Sequence, residues 1–377
     1  MGTTNTLPVA AHFLKRATCP EDVFGELKGN KSEQREQLAA LVKMMRIGLH
    51  PDLFPDDKAV AEEATKIIAE MEMKAEAAIR RGDYGKNSTK TIIGKYHRYK
   101  ELAIGDIADL HNAYFQDETG FVEVVLKAVR NKADAIYLQK EKTFLQELHY
   151  KFKGQPLDDC IPKVYESFSL SDGRMVNVLE SLEGWYDVKT IHSRMLGVDG
   201  RTLVWMWKRL LTLLSNVHAT GLLHGAVLPP HVLYFPDNEV IDKDLRRHAV
   251  RLIDWCYSER RLSGGTRLNI WCPQYKDFYP PEIINKSGAQ KVGRRSELYM
   301  AAKTMQYLTG GNVTTNKFPD SIPAELGNCI AKCFVTDYAS RPATAGFHFD
   351  EFNTVANKVY DKKYHDFILP DEDTHDI

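Results

Sequence analysis

The stretch KSEQREQLAALVKMMRIGLHPDLFPDDKAVAEEATKIIAEMEMKAEAAIRR, Lys31 to Arg81, decides how the first part of this chain folds. From Lys31 onward, Leu38, Leu41, Met45 and Leu49 recur at spacings of three and four, the period of one helical face. The helix must end at His50-Pro51-Asp52-Leu53-Phe54-Pro55-Asp56-Asp57, where two prolines remove backbone donors and push the residues before them out of helical geometry. The pattern resumes at about Lys58, with Ala64, Ile67, Ile68, Met71, Ala75, Ala78 and Ile79 on one face, and Gly82-Asp83-Tyr84-Gly85 closes it. Two amphipathic helices around a tight turn predict an antiparallel pair.

On the C-terminal side, Lys86 to Thr89 reads as a linker, and the pattern then changes. Thr91 to Ile104, His111 to Phe115 and Phe121 to Val129 are rich in β-branched and aromatic residues and predict strands. A helix over about Ala133 to Leu148 and a strand-turn-strand unit over Lys163 to Leu182, turning at Ser171 to Arg174, follow. From Leu203 helices predominate. The fold class is α+β, a helical module followed by a β-rich lobe and a larger helical lobe.

Composition sets the outer limits. At 377 residues, 43% hydrophobic and 27% charged, the chain holds two or three domains with real cores. A formal charge of -1 gives no global reason to expect nucleic acid or an anionic membrane as partner. The six cysteines lack the paired spacing of a zinc ribbon and the density of a disulfide scaffold, so reduced thiols are expected. Met1 to Ala17 has no apolar leader and no long apolar run occurs elsewhere, so a cytoplasmic protein without membrane association is expected.

The helix pair with His50-Pro51-Asp52 in its turn resembles a J-domain, and Cys19 to Gly25 resembles the short segment that leads into that fold. The resemblance covers about 19–86, after an N-terminal extension at 1–18. It implies a co-chaperone in which His50, Pro51 and Asp52, with Lys43 and Arg46 on the basic face of the first helix, contact a DnaK-type chaperone and stimulate its ATPase. The plainer reading of the tripeptide is a helix-ending turn in which Asp52 caps and His50 is exposed.

From about 92 to 360, landmarks resemble a bilobal protein-kinase fold, with a small lobe over about 92–182 and a large lobe over about 185–360. Lys127, on the strand Val124-Val125-Leu126-Lys127-Ala128-Val129, resembles the lysine that pairs with nucleotide phosphates, and Glu141 its ion-pair partner. Gly105 is what remains of a glycine-rich loop, beside Asp106 and Asp109, and Val178 to Gly184 resembles the adenine-binding hinge, with Glu180 and Leu182 contributing backbone groups. Leu222-Leu223-His224-Gly225-Ala226-Val227-Leu228-Pro229-Pro230-His231-Val232-Leu233 resembles the catalytic loop. Its chemistry is gone: Ala226 stands at the base aspartate, Leu228 at the phosphate-facing lysine and His231 at the metal-binding asparagine. Alanine accepts no proton and leucine neutralises no phosphoryl charge.

Asp254-Trp255-Cys256 resembles the segment whose aspartate holds Mg, and Tyr279 to Glu282 the segment whose glutamate pairs with an arginine, here Arg341. The helix around Arg294 to Met300 resembles the central helix of the large lobe, with Glu297 near its anchoring acid and Leu298, Ala301, Ala302, Met305 and Leu308 in the core. The tail at 361–377 is acidic and expected to be disordered. Together these imply an adaptor that recruits a DnaK-type chaperone to an unidentified client through a pseudokinase domain, with ATP and Mg as the implied ligands. The alternative is an atypical ATP-dependent protein kinase drawing on Lys127, Glu141 and Asp254.

Overall fold

The computed structural model describes residues 6–15, 17, 19–25, 27–85, 92–93, 96–117, 120–170, 172–237, 249–260, 272–284, 292–361 and 366–370. The linker at Lys86 to Thr89 lies outside them. The chain forms two compact units: 1–132 with 165–181, and 133–164 with 182–377. The architecture is mixed α/β, with helices at the N-terminus and a sheet after them. Among the described residues no helix is long and apolar enough to cross a membrane.

The first unit opens with α1 (Thr6–Lys15), α2 (Pro20–Phe24), α3 (Lys31–Gly48) and α4 (Lys58–Arg81). Asn30 starts α3 by accepting from the backbone N–H groups of Ser32 and Glu33, while Glu33 reaches back to the Asn30 N–H. Gly82, at φ +83°, ends α4. Leu38, Val42 and Met45 of α3 bury against Ala61, Ala64, Ile68, Met71, Ala75 and Ile79 of α4. The residues before the pair are not a bare extension: Leu7, Ala10 and Leu14 of α1 enter this same core, at the i, i+3, i+7 spacing of one helical face.

The sheet of this unit is antiparallel, in the order β1 (Ile92–Ile93), β2 (Tyr96–Ile104), β3 (Ala108–Asp117), β4 (Gly120–Val129), β6 (Met175–Glu180), β5 (Val164–Ser169). Its own core is Tyr96, Ala113, Val124, Leu126, Val176 and Val178. Tyr114 of β3 belongs instead to the helical core, where its hydroxyl donates to the Asp22 carbonyl at 2.7 Å and its ring stacks on His97 at 4.9 Å. Tyr84, just past α4, donates to the Gly25 carbonyl at 2.9 Å. Helices and sheet thus share buried side chains.

The second unit carries α5 (Ala135–Phe152), α6 (Val188–Met195), α7 (Gly200–Ala219), α8 (Pro281–Ile284), α9 (Arg294–Leu308), α10 (Ala324–Ala331) and α11 (Ala345–Val359). Two small antiparallel sheets join β7 (Tyr186–Asp187), β9 (Val232–Tyr234) and β10 (Val250–Leu252), and β8 (Leu222–Leu223) with β11 (Glu259–Arg260). Leu298, Ala301, Ala302, Met305 and Leu308 of α9 are fully buried, as their spacing predicts.

The expectation of a disordered acidic tail is corrected for 366–370. Phe367 and Leu369 are buried, Phe367 and Asp237 exchange hydrogen bonds of 2.6 and 2.7 Å, and the Phe367 ring packs on Trp205. Alternating apolar residues there outweigh the flanking charge; the acidic run Asp371 to Asp373 lies outside the described residues.

Gly25 tests the docking of helix on sheet. Its φ of +70° and ψ of -154° are open essentially to glycine alone, and an added Cβ would sit 2.4 Å from His97 Cε1. Gly25→Ala is expected to cost about 2–3 kcal/mol of unfolding free energy in urea titration. Gly48→Ala, with open space around it in a helix, is expected to be neutral or slightly stabilising.

Candidate functional site

The turn between α3 and α4 presents its polar tips to solvent. Pro51 starts a short 3-10 turn, Pro51–Leu53, and holds the backbone of the tripeptide. The His50 imidazole caps that turn, Nδ1 accepting from the Asp52 N–H at 3.3 Å and lying 3.5 Å from Oδ2 of Asp52. The capping role therefore falls to His50 rather than to Asp52. Both side chains stay open, at 58% and 83% exposure. Lys43 is exposed on α3, and Arg46 forms an exposed ion pair with Glu72 of α4, which tethers it along the helix pair.

In the sheet, the hairpin between β2 and β3 turns at Gly105, whose N–H donates to the Ala108 carbonyl at 2.9 Å. A Cβ at Gly105 would come 2.9 Å from that carbonyl, so glycine is required by the close approach. The Arg130 guanidinium donates to the Gly105 and Asp106 carbonyls, and Arg130 also lies 3.7 Å from Asp109. The turn is strapped by its own carbonyls rather than opened toward an anion. Lys127 lies on β4 opposite Asn177 of β6, and its residue is 3% exposed.

In the second unit, the loop from His224 to His231 runs between β8 and β9 and is closed by apolar residues. Ala226 and Leu228 are each 1% exposed, so the positions where the resemblance placed a base and a phosphate-facing lysine are filled with packed carbon. His224 is buried with both nitrogens used: Nδ1 accepts from the Ala226 N–H at 3.2 Å, and Nε2–H donates to the Ile253 carbonyl at 2.9 Å. The bond accepted by Nδ1 requires the neutral ring, and burial pushes its pKa down to about 4.

His231 Nδ1 donates to the Ala226 carbonyl at 2.8 Å, since a carbonyl only accepts. That bond turns Nε2 toward Oδ2 of Asp254, 3.3 Å away. Asp254 has a left-handed backbone, φ 63°, and leads into the short turn Trp255–Tyr257. Glu141 of α5, 1% exposed, accepts from the Trp255 N–H at 3.3 Å. Trp255 fills the interior beneath, its indole N–H donating to the Leu252 carbonyl at 2.7 Å and its ring meeting His224 edge-on at 4.6 Å.

Ligand atoms of Glu141, Asp254 and Cys256 lie within 4.8 Å of one another. Magnesium takes oxygen donors in near-octahedral order. A thiol and the His231 imidazole beside the two carboxylates fit that ion poorly.

What holds this loop is Glu297 of α9, fully buried. One oxygen accepts from the Gly225 N–H and the other lies 2.7 Å from Nε2 of buried His218 on α7. Gly225, at φ +85°, gives the loop the bend that aims its N–H at this carboxylate. The pair expected between Glu282 and Arg341 is present and bidentate, at 2.6 and 3.0 Å, with Ser296 donating to Glu282 at 2.8 Å and Arg341 also donating to the carbonyls of Val335 and Thr336.

Within the second unit the structure therefore groups Glu141, Ala226, His231 and Asp254. Gly105, Lys127 and Glu180 belong to the first unit, and the chain passes into the second at Leu182. His50, Pro51, Asp52, Lys43 and Arg46 share the helix pair. Sequence reasoning missed His218 and Arg130. A histidine at the end of an apolar helix and an arginine closing a strand were the only local signals. Compared with models of known protein families and with curated proteins, the chain has no match to either.

His224 makes the second unit sensitive to acid. Its ring titrates near 6.5 when unfolded and near 4 when folded, so the unfolded chain binds the extra proton first. The stability it contributes is complete above about pH 6.5 and is lost as pH falls from there toward 4, by up to about 3 kcal/mol. Urea titrations at pH 7 and pH 4.5 are expected to show a shallower loss for His224→Asn than for the unsubstituted chain; equal slopes would remove His224 as the cause.

Proposed function

We propose that this chain is a J-domain-like co-chaperone or adaptor. The helix pair recruits a DnaK-type chaperone through His50, Pro51 and Asp52, with Lys43 and Arg46 beside them, and the kinase-like second part recognises a client protein. The observation that carries this reading is a contrast in exposure. His50 and Asp52 stand open on a proline-stiffened turn, whereas Ala226 and Leu228 seal the loop where phosphoryl-transfer groups would stand. Exposed polar groups on a rigid turn are suited to reach a partner. A buried apolar loop supplies neither a proton acceptor nor a cation to a transferring phosphoryl group.

A second reading, an atypical ATP-dependent protein kinase drawing on Lys127, Glu141 and Asp254, is favoured by one specific feature. Lys127 and Glu141 are both almost fully buried, and strongly desolvated ionisable groups are enriched at functional sites. Nucleotide held as a structural ligand would use the same groups without chemistry.

His50→Gln is expected to abolish stimulation of a DnaK-type ATPase while leaving the thermal unfolding midpoint unchanged, because the side chain is exposed and only caps its own turn. Equal stimulation by both proteins would sink the co-chaperone reading. For the second reading, Mg-ATP at about 100 times its dissociation constant adds roughly 2.7 kcal/mol to the folded state. An upward shift of the midpoint that disappears in Lys127→Ala would favour it, and no shift would favour a recognition domain.

A further inference from the structure

Far along the second unit, α10 and α11 bring together three side chains of metal-ligating type. Cys329 lies buried on α10, and His348 and Glu351 sit three residues apart on α11, which places them on one helical face. One ligand atom from each lies within 4.8 Å of the other two. We propose that Cys329, His348 and Glu351 form a binding site for a thiophilic divalent cation of the zinc type.

The independent sign is His348. It is 0% exposed, and neither ring nitrogen has a hydrogen-bond partner. A neutral imidazole carries one donor and one acceptor, and leaving both unused in the interior is unfavourable. Its surroundings are otherwise aromatic, with the Trp207 ring edge-on at 5.8 Å and Phe352 at 6.5 Å. Nδ1 lies 3.4 Å from Oε2 of Glu351 but out of hydrogen-bonding alignment. That separation is what two ligands of one tetrahedral ion require, since bonds of about 2.0–2.3 Å place donor atoms about 3.3–3.8 Å apart.

The donor set selects the ion. A thiol, an imidazole and a carboxylate suit zinc, whereas calcium and magnesium take oxygen. Lys332 holds Oε1 of Glu351, leaving Oε2 turned toward His348, the kind of outer contact that orients a ligand. Binding replaces the Cys329 S–H bond by a sulfur–metal bond and releases that proton to solvent. Three protein ligands leave a fourth position, open to water or another small donor.

The test uses the full chain stripped of metal with a chelator and titrated with cobalt(II), whose thiolate-to-metal absorption and visible bands report sulfur ligation and tetrahedral geometry. One equivalent is expected to saturate both signals. Cys329→Ser is expected to abolish the thiolate band, His348→Ala to weaken binding by about tenfold or more, and Cys160→Ser, outside the cluster, to leave both signals intact. Glu351→Ala removes a part-exposed side chain and provides a variant that keeps its fold. Its midpoint without metal is expected to fall only slightly, through the lost surface pair with Lys332, while the rise that zinc produces is expected to be lost. Absence of a thiolate band at excess cobalt, or a band that survives Cys329→Ser, would overturn the assignment. Retained zinc stabilisation in Glu351→Ala would remove that residue from the site.

Discussion

The buried carboxylate of Glu297 is the constraint on which the second unit is organised. A charge with no access to water is tolerable only when its oxygens are occupied, and here they are satisfied from two directions by the Gly225 N–H and the His218 ring. Those partners come from a loop and from α7, so one side chain on α9 ties three separate stretches together. The loop from His224 to His231 inherits its position from that tie. His224, Ala226 and Trp255 then pack in a connected hydrogen-bonded layer behind it. The Glu282–Arg341 pair works similarly lower in the unit, where every guanidinium nitrogen has an acceptor.

This organisation clarifies what a polar residue in the loop is for. His224 and Glu297 are structural, because their hydrogen-bonding capacity is spent on backbone and on each other's neighbourhood. His231 and Asp254 differ. Their side chains remain partly exposed and face one another, so they form the polar lip of an otherwise apolar loop. A recognition surface can use such a lip without any transfer chemistry.

Local patterns in the sequence carried the secondary structure well where periodicity was long. Both helices of the antiparallel pair appear with the boundaries their patterns predict, because the two prolines and the closing glycine leave little freedom about where they stop. The helix Thr6–Lys15 escaped because ten residues give one short apolar stripe, and only the core supplied by α4 makes it recognisable. Phe367 and Leu369 escaped for the opposite reason: acidic neighbours dominate the composition although two alternating apolar residues suffice to anchor a strand-like segment. In the candidate site, Glu297 and the Glu282–Arg341 pair were legible from order along the chain. The role of His218 was not, since it depends on a partner 79 residues away. Hydrogen-bond direction at His231, and the burial of Ala226 and Leu228, likewise arise only from tertiary packing.

Tyr114 has a consequence for the first unit as a thermodynamic object. It sits on a strand yet completes the interior of the helical cluster, and its hydroxyl closes a bond to the Asp22 carbonyl. A boundary drawn between helices and sheet would cut through a shared interior, so the helix pair is no detachable tag. Opening fluctuations of the two parts are coupled, and amide hydrogen exchange in β3 and in α2 should report a common protection. Any partner that clamps the helices then changes the dynamics of the strand carrying Tyr114, by linkage through a shared folded state rather than by any movement of parts.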